Sequence, residues 1–304
     1  MSGVLTGFAV VIAVVAVGWL LGRTGVLGPH GQVVLARLVF YVGTPALLVR
    51  TLSTADAGAV LAAPLLVTAA AALTSAAAFA LVARLGWRRS AEHVVLGSLA
   101  ASYVNAANIG LPVALYVLGD PSVVAPALLF QLAVLAPAGI AVLDAVGSGS
   151  RRPRLAHLVQ PLRNPLVLGS AAGIALAVSG AALPAVVADP LGLLAGTAVP
   201  CALLAFGLSL HGGARPRLAS ADVWLVAGLK LVVQPVVAYL VASALGLRGP
   251  ALEGAVVVAA LPTAQNVFVY AVRYDRAVQL ARDAVLVTTV LAVPVLVVIA
   301  LLLG

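Results

Sequence analysis

Charge is what this 304-residue chain has least of. Charged residues make up 9% of it, against about a quarter in an ordinary soluble domain. Acids number nine against 17 basic residues, and the single lysine is Lys230. There is one cysteine, Cys201, so no disulfide can form within the chain. The four histidines (His30, His93, His157 and His211) show no metal-ligand spacing such as H-E-x-x-H, so neither a metal site nor a cofactor is expected. No phosphate-binding GxxxxGK[ST] loop occurs, and so little of the chain is polar that an ATP-driven pump is excluded.

What fills the sequence instead is apolar: 63% hydrophobic residues and a mean hydropathy of +1.18. A single soluble core would leave large apolar patches facing water. The bilayer is the solvent that fits, and the expected class is an all-α polytopic membrane protein. Cutting at charges, prolines and glycines leaves ten apolar segments, spans one to ten: 4–22, 32–50, 58–83, 91–118, 121–144, 164–183, 190–210, 220–246, 251–272 and 277–303. Each is long enough for a hydrocarbon core of roughly 30 Å. The opening "MSGVLTGFAVVIAVVAVGWLLGR" lacks a basic start and a clear cleavage site, so it reads as a retained first helix.

The net charge of +8 does not point to nucleic acid, because the basic residues are scattered over short loops. Thirteen follow odd-numbered spans: Arg23, Arg84, Arg88, Arg89, Arg151, Arg152, Arg154, Arg163, Arg215, Arg217, Arg273, Arg276 and Arg282. Two, Arg50 and Arg248, lie near the opposite face. The bias places the arginine-rich loops in the cytoplasm and both termini outside the cytoplasmic (inner) membrane. Trp19, Trp87 and Trp224 fall near that cytoplasmic boundary, where amphipathic rings settle.

The longest polar break divides the chain into a first five-helix repeat (1–146), a basic cytoplasmic linker (147–163) and a second repeat (164–304). Five is odd, so equivalent halves insert in opposite directions and form an inverted repeat. Faint echoes support it. "VGTPALL" (42–48) resembles "AVPCALL" (198–204), pairing Pro45 with Pro200 at an offset of 155, and the same offset pairs Gly18 with Gly173. Glu92 stands thirteen residues before Asn105, and Glu253 thirteen before Asn266.

Two spans break their own helices. Span four contains "YVNAANIGLP" (103–112) and span nine contains "LPTAQNV" (261–267). Pro112 and Pro262 each remove a backbone donor and free carbonyls that lipid cannot satisfy. In an inverted repeat the two breaks correspond and cross near mid-membrane, where half-helix ends aim partial charges at one site. Asn105, Asn108, Gln265 and Asn266 can then bind a ligand, with Gly110, Pro112 and Pro262 shaping the site. Thr44, Pro45 and Pro200 line its scaffold side. Lys230 either serves that site or helix pairing, or snorkels to the interface. Carboxylates avoid the middle of the spans except for Asp283, which reads as a local ion pair with Arg282, the alternative being a proton carrier. Amides with one cation nearby suit an anionic substrate.

"NAANIGLPVALYVLGD", "RNPLVLGSAAGIAL", "VPCALLAFGLSL" and "AALPTAQNVFVYAVRYD" resemble, in order, the fourth, sixth, seventh and ninth helices of the auxin efflux carrier family. The resemblance implies the ten-helix fold shared with sodium/bile-acid symporters: a scaffold (spans 1, 2, 6 and 7), a moving transport unit (spans 3–5 and 8–10) and crossed helices four and nine. It implies secondary transport, of auxin in plants and of dicarboxylates such as malate or malonate in bacteria. The long cytoplasmic loop of the plant exporters is missing here, which puts auxin and loop regulation in doubt. A coupling proton or sodium ion and a homodimer are compatible with this reading. The alternative is a membrane sensor that binds the same ligand without moving it.

Overall fold

The computed structural model describes residues 2–54, 63–146, 165–181, 183–211 and 220–303. The basic linker 147–163, Arg215 and Arg217 and the loop acid Asp56 lie outside the described residues. The described chain is helical, without strands. We number the helices α1 (Ser2–Thr24), α2 (Gly31–Leu52), α3 (Ala63–Gly86), α4 (Ala91–Ser102), α5 (Ala106–Leu118) and α6 (Pro121–Leu143). The second half contributes α7 (Pro165–Ser179), α8 (Ala185–Leu208), α9 (Ala221–Ala244), α10 (Gly249–Ala259), α11 (Gln265–Tyr274) and α12 (Val278–Leu303). Six of them (α2, α3, α6, α8, α9 and α12) are long and apolar enough to cross a membrane alone. Span four is thus α4 plus α5, and span nine is α10 plus α11.

Prolines bend this fold less than the sequence suggests. Wide five-residue turns at Val39–Gly43, Ala106–Gly110, Gln131–Leu135 and Leu229–Val233 each end two residues before a proline: Pro45, Pro112, Pro137 and Pro235. Widening the turn moves the carbonyl that the proline ring would strike, so the helix continues past it. Pro190 in α8 and Pro294 in α12 pass without such a turn.

One face of the molecule is a panel of α1, α2, α7 and α8, with α1 along α8 and α2 against both α7 and α8. Glycines permit the contact. A Cβ on Gly207 would stand 2.1 Å from the Val15 carbonyl, and one on Gly18 2.5 Å from that of Leu204. Gly169 and Gly173 of α7 meet the main chain of α2 at Pro45 and Leu48 in the same way. Such small-residue contacts let helices associate in lipid, where burial itself drives nothing.

The remaining helices share two large buried cores, with a smaller one between α3, α9 and α10 around Ala71, Ala238 and Ala259. One unites α3, α4, α6, α9, α11 and α12 around Phe79, Leu96, Tyr103 and Val267. The other gathers α5 and α10 with α2, α7 and parts of α6 and α12 around Leu48, Leu111 and Leu261. Each break therefore carries its span from one core into the other. At the arginine-rich end, Asp222 at the start of α9 binds Arg89 at 2.7 Å, with His93 Nε2 3.4 Å away, tying the entry of α4 to α9.

Candidate functional site

The site begins where α4 stops. Ser90 opens this helix, its hydroxyl accepting from the His93 N–H at 3.4 Å, and Glu92 lies in the first turn. At the far end, Ser102 Oγ donates back to the Ser98 carbonyl at 2.7 Å, and Tyr103 turns extended (φ −82°, ψ 112°). Asn105 adopts φ −77°, ψ 61°, and the Ala106 N–H donates to the Val104 carbonyl at 2.8 Å, an inverse γ-turn. Asn105 Oδ1 then accepts from the Asn108 N–H at 3.3 Å and caps α5. In the second break α10 ends at Ala259, Pro262 withholds a donor, and α11 restarts at Gln265.

The two breaks are bonded to each other. The Asn105 N–H donates to the Pro262 carbonyl at 2.8 Å, and the Ala264 N–H donates to that of Tyr103 at 3.0 Å. Val104 and Thr263 are thereby paired in a single antiparallel bridge. In such a pair the residues' own N–H groups point outward. Gln131 Oε1 on α6 receives that of Val104, and Thr288 Oγ1 on α12 receives that of Thr263 at 3.1 Å. Thr263 Oγ1 donates to the Ala100 carbonyl at 2.7 Å. All four N–H groups of the crossing are satisfied. Each, left unpaired in hydrocarbon, would cost several kcal/mol.

Beside the bridge lies a cavity of about 50 Å³. Asn105, Asn108, Gln265 and Asn266 all line it, with Tyr103 and Gln131. Phe40 from α2 and Leu166 from α7 close it on the panel side. No charged side chain lines it. The N-terminal ends of α5 and α11 both open on it, each equivalent to roughly half a positive charge. Neutral amide side chains between two such ends are chemically suited to an anion.

The other expected residues lie outside this lining. Gly110 is buried against Leu261 and Val124, and Pro262 contributes its carbonyl to the bridge. Pro112 sits within α5 rather than at the break, because the helix is interrupted over residues 103–105 and not at the proline. Thr44 is fully buried on α2, Pro45 touches Gly169, and Pro200 is exposed on α8. Lys230 does not snorkel. It is fully buried, its Nζ donating to the Ser102 carbonyl at 3.2 Å and to Gln234 Oε1 at 2.7 Å. Asp283 is buried and paired with Arg282 at 2.8 Å. A larger, apolar groove of about 560 Å³ between α9 and α12 offers no charged side chain and no amide.

Sequence reasoning missed the rest of the lining, Tyr103, Gln131, Phe40 and Leu166 among it. Tyr103 stood two positions from Asn105, and Gln131 was an isolated amide in an apolar span; both signals were legible. Phe40 and Leu166 carry no such mark.

A model of the family described as membrane transport protein matches residues 4–143 and 151–300. The chain belongs to the auxin efflux carrier family of membrane transport proteins. A Rhizobium meliloti (strain 1021) protein provisionally named a malonate transporter is 30% identical over 84% of this chain and 82% of its own. An uncharacterized transporter of Methanothermobacter thermautotrophicus is 27% identical over 93% of this chain and 92% of its own. A protein of Oryza sativa subsp. japonica, provisionally auxin efflux carrier component 5c, is 30% identical over 44% of this chain and 38% of its own. This family member is therefore a multi-pass membrane transporter, and its named relatives point away from an enzyme.

Proposed function

We propose that this transporter is a secondary carrier of a small organic anion, working by alternating access at the bridged crossing of spans four and nine. The observation that carries it is the pair of half-helix N-termini opening on one amide-lined cavity. Asn105, Asn108, Gln265 and Asn266 bind the anion, while Tyr103 and Gln131 complete the lining. The relative named for malonate makes a short carboxylate the first substrate to try.

A cavity of about 50 Å³ is far below the 300–1,000 Å³ usual for ligand sites, so a carboxylate enters only as the walls separate. Two walls of different origin are available for that. Phe40 and Leu166 belong to the panel, and the amides belong to the bundle. The panel (spans one, two, six and seven) is the scaffold, and the bundle (spans three to five and eight to ten) slides on it. The ten spans form two inverted five-helix repeats. Gly18 packing on Leu204 and Gly173 packing on Val49, each pair shifted by 155, support this symmetry. So do Gln131 and Thr288, which hold the outward N–H groups of the two bridge residues. Arginine-rich loops face the cytoplasm of the inner membrane, with both termini outside.

Uptake and efflux of radiolabelled malonate and related carboxylates in reconstituted vesicles test the reading. Asn105→Ala and Asn266→Ala are expected to reduce flux at least tenfold. Unchanged flux in both variants, or binding without flux in the wild type, would overturn it.

A further inference from the structure

Half-helices have two ends, and the C-terminal end of α4 has the opposite polarity to the cavity. Its last carbonyls carry partial negative charge into the protein interior, a place where broken-helix carriers hold a coupling cation. In this chain a side chain already stands there. Lys230 of α9 is fully buried, and its Nζ donates to the Ser102 carbonyl at 3.2 Å and to Gln234 Oε1 at 2.7 Å. Gln234 Nε2 donates to the same carbonyl at 3.2 Å and keeps its oxygen turned to the lysine. These partners are neutral oxygens, the donors that a hard metal cation takes.

The crossing itself does not need this cation. The bridge N–H groups are held by main chain, Gln131 and Thr288. The residue 155 positions earlier, on α3, is Ser75, buried with an unpartnered hydroxyl. Nor does Lys230 line the amide cavity, so its charge is not spent on the substrate.

We propose that the Lys230 ammonium is a tethered replacement for a coupling sodium ion, and that this carrier runs independently of sodium. The chain supplies its own cation at the end of α4, and no ion has to enter or leave that position during a cycle. The flux part of this inference rests on the transport reading; the stability part does not.

Thermal unfolding of the purified protein in sodium, potassium and choline chloride at equal ionic strength is the first test. The wild type is expected to show one melting temperature in all three salts. Lys230→Ala is expected to lose about 5 °C or more and to regain part of it with sodium or with propylammonium, which refills the vacated position. Lys230→Met, which fills the space without charge, is expected to lose as much and to ignore propylammonium. A sodium-specific rise in the wild type would overturn the proposal, as would either variant melting like the wild type. Lys230→Ala indifferent to both added cations would do the same. In vesicles, replacing sodium by potassium is expected to leave carboxylate flux unchanged. Sodium-stimulated flux would overturn this inference and leave the carrier assignment standing.

Discussion

Asn105 carries two duties that a pair of substitutions separates. Its Oδ1 caps α5 by accepting the Asn108 N–H, and the residue lines the cavity. Asn105→Ala removes the cap, at about 1 kcal/mol. That is a fall of roughly 2 °C in a chain of this size. Asn105→Asp keeps an acceptor on the same N–H, and its charge suits the helix N-terminus, so this variant is expected to melt no lower than the wild type. The aspartate also puts a negative charge in the cavity proposed to take the anion. At about 4 Å and an effective dielectric of about 20, the repulsion is roughly 4 kcal/mol. That corresponds to a loss of affinity of about a thousandfold. Melting curves and carboxylate binding on the same samples are the assay. An aspartate variant that folds normally and binds malonate as the wild type does would refute the assignment of an anion to this cavity.

Three further outcomes are expected. Gly207→Leu forces α1 from α8, because even a Cβ would lie 2.1 Å from the Val15 carbonyl; a loss above about 3 kcal/mol should show in melting or in yield of folded protein. Thr263→Val leaves the Ala100 carbonyl without its buried partner and should cost about 1–3 kcal/mol, whereas Thr263→Ser should restore most of it. With Cys201 replaced by serine, a cysteine at Arg88 is expected to react with impermeant maleimide only from the cytoplasmic side, and labelling from outside would reverse the topology.

The helical class, the apolar segments and the four amides of the cavity were legible in the sequence because bilayer physics writes them in composition. A polar amide in hydrocarbon has few explanations, so Asn105, Asn108, Gln265 and Asn266 stood out. The role of Pro112 was not legible. Proline signals an interruption, but a widened turn lets a helix pass it, and the actual stop came at Tyr103, which turns extended just before the γ-turn at Asn105. Lys230 was ambiguous because depth along a helix does not say which way a side chain faces. Phe40 and Leu166 were invisible for a simpler reason: an apolar residue lining a cavity looks like one facing lipid.

The bridge between Val104 and Thr263 is made of main-chain atoms, and that has an evolutionary consequence. Val104 needs no particular side chain to keep the two spans joined, Thr263 needs only a hydroxyl for the Ala100 carbonyl, and no proline can take the place of Asn105 or Ala264. If cargo binds in the cavity beside it, descendants of this chain can trade cargo by point changes around a joint that stays fixed. Divergence in what is carried should run well ahead of divergence in architecture.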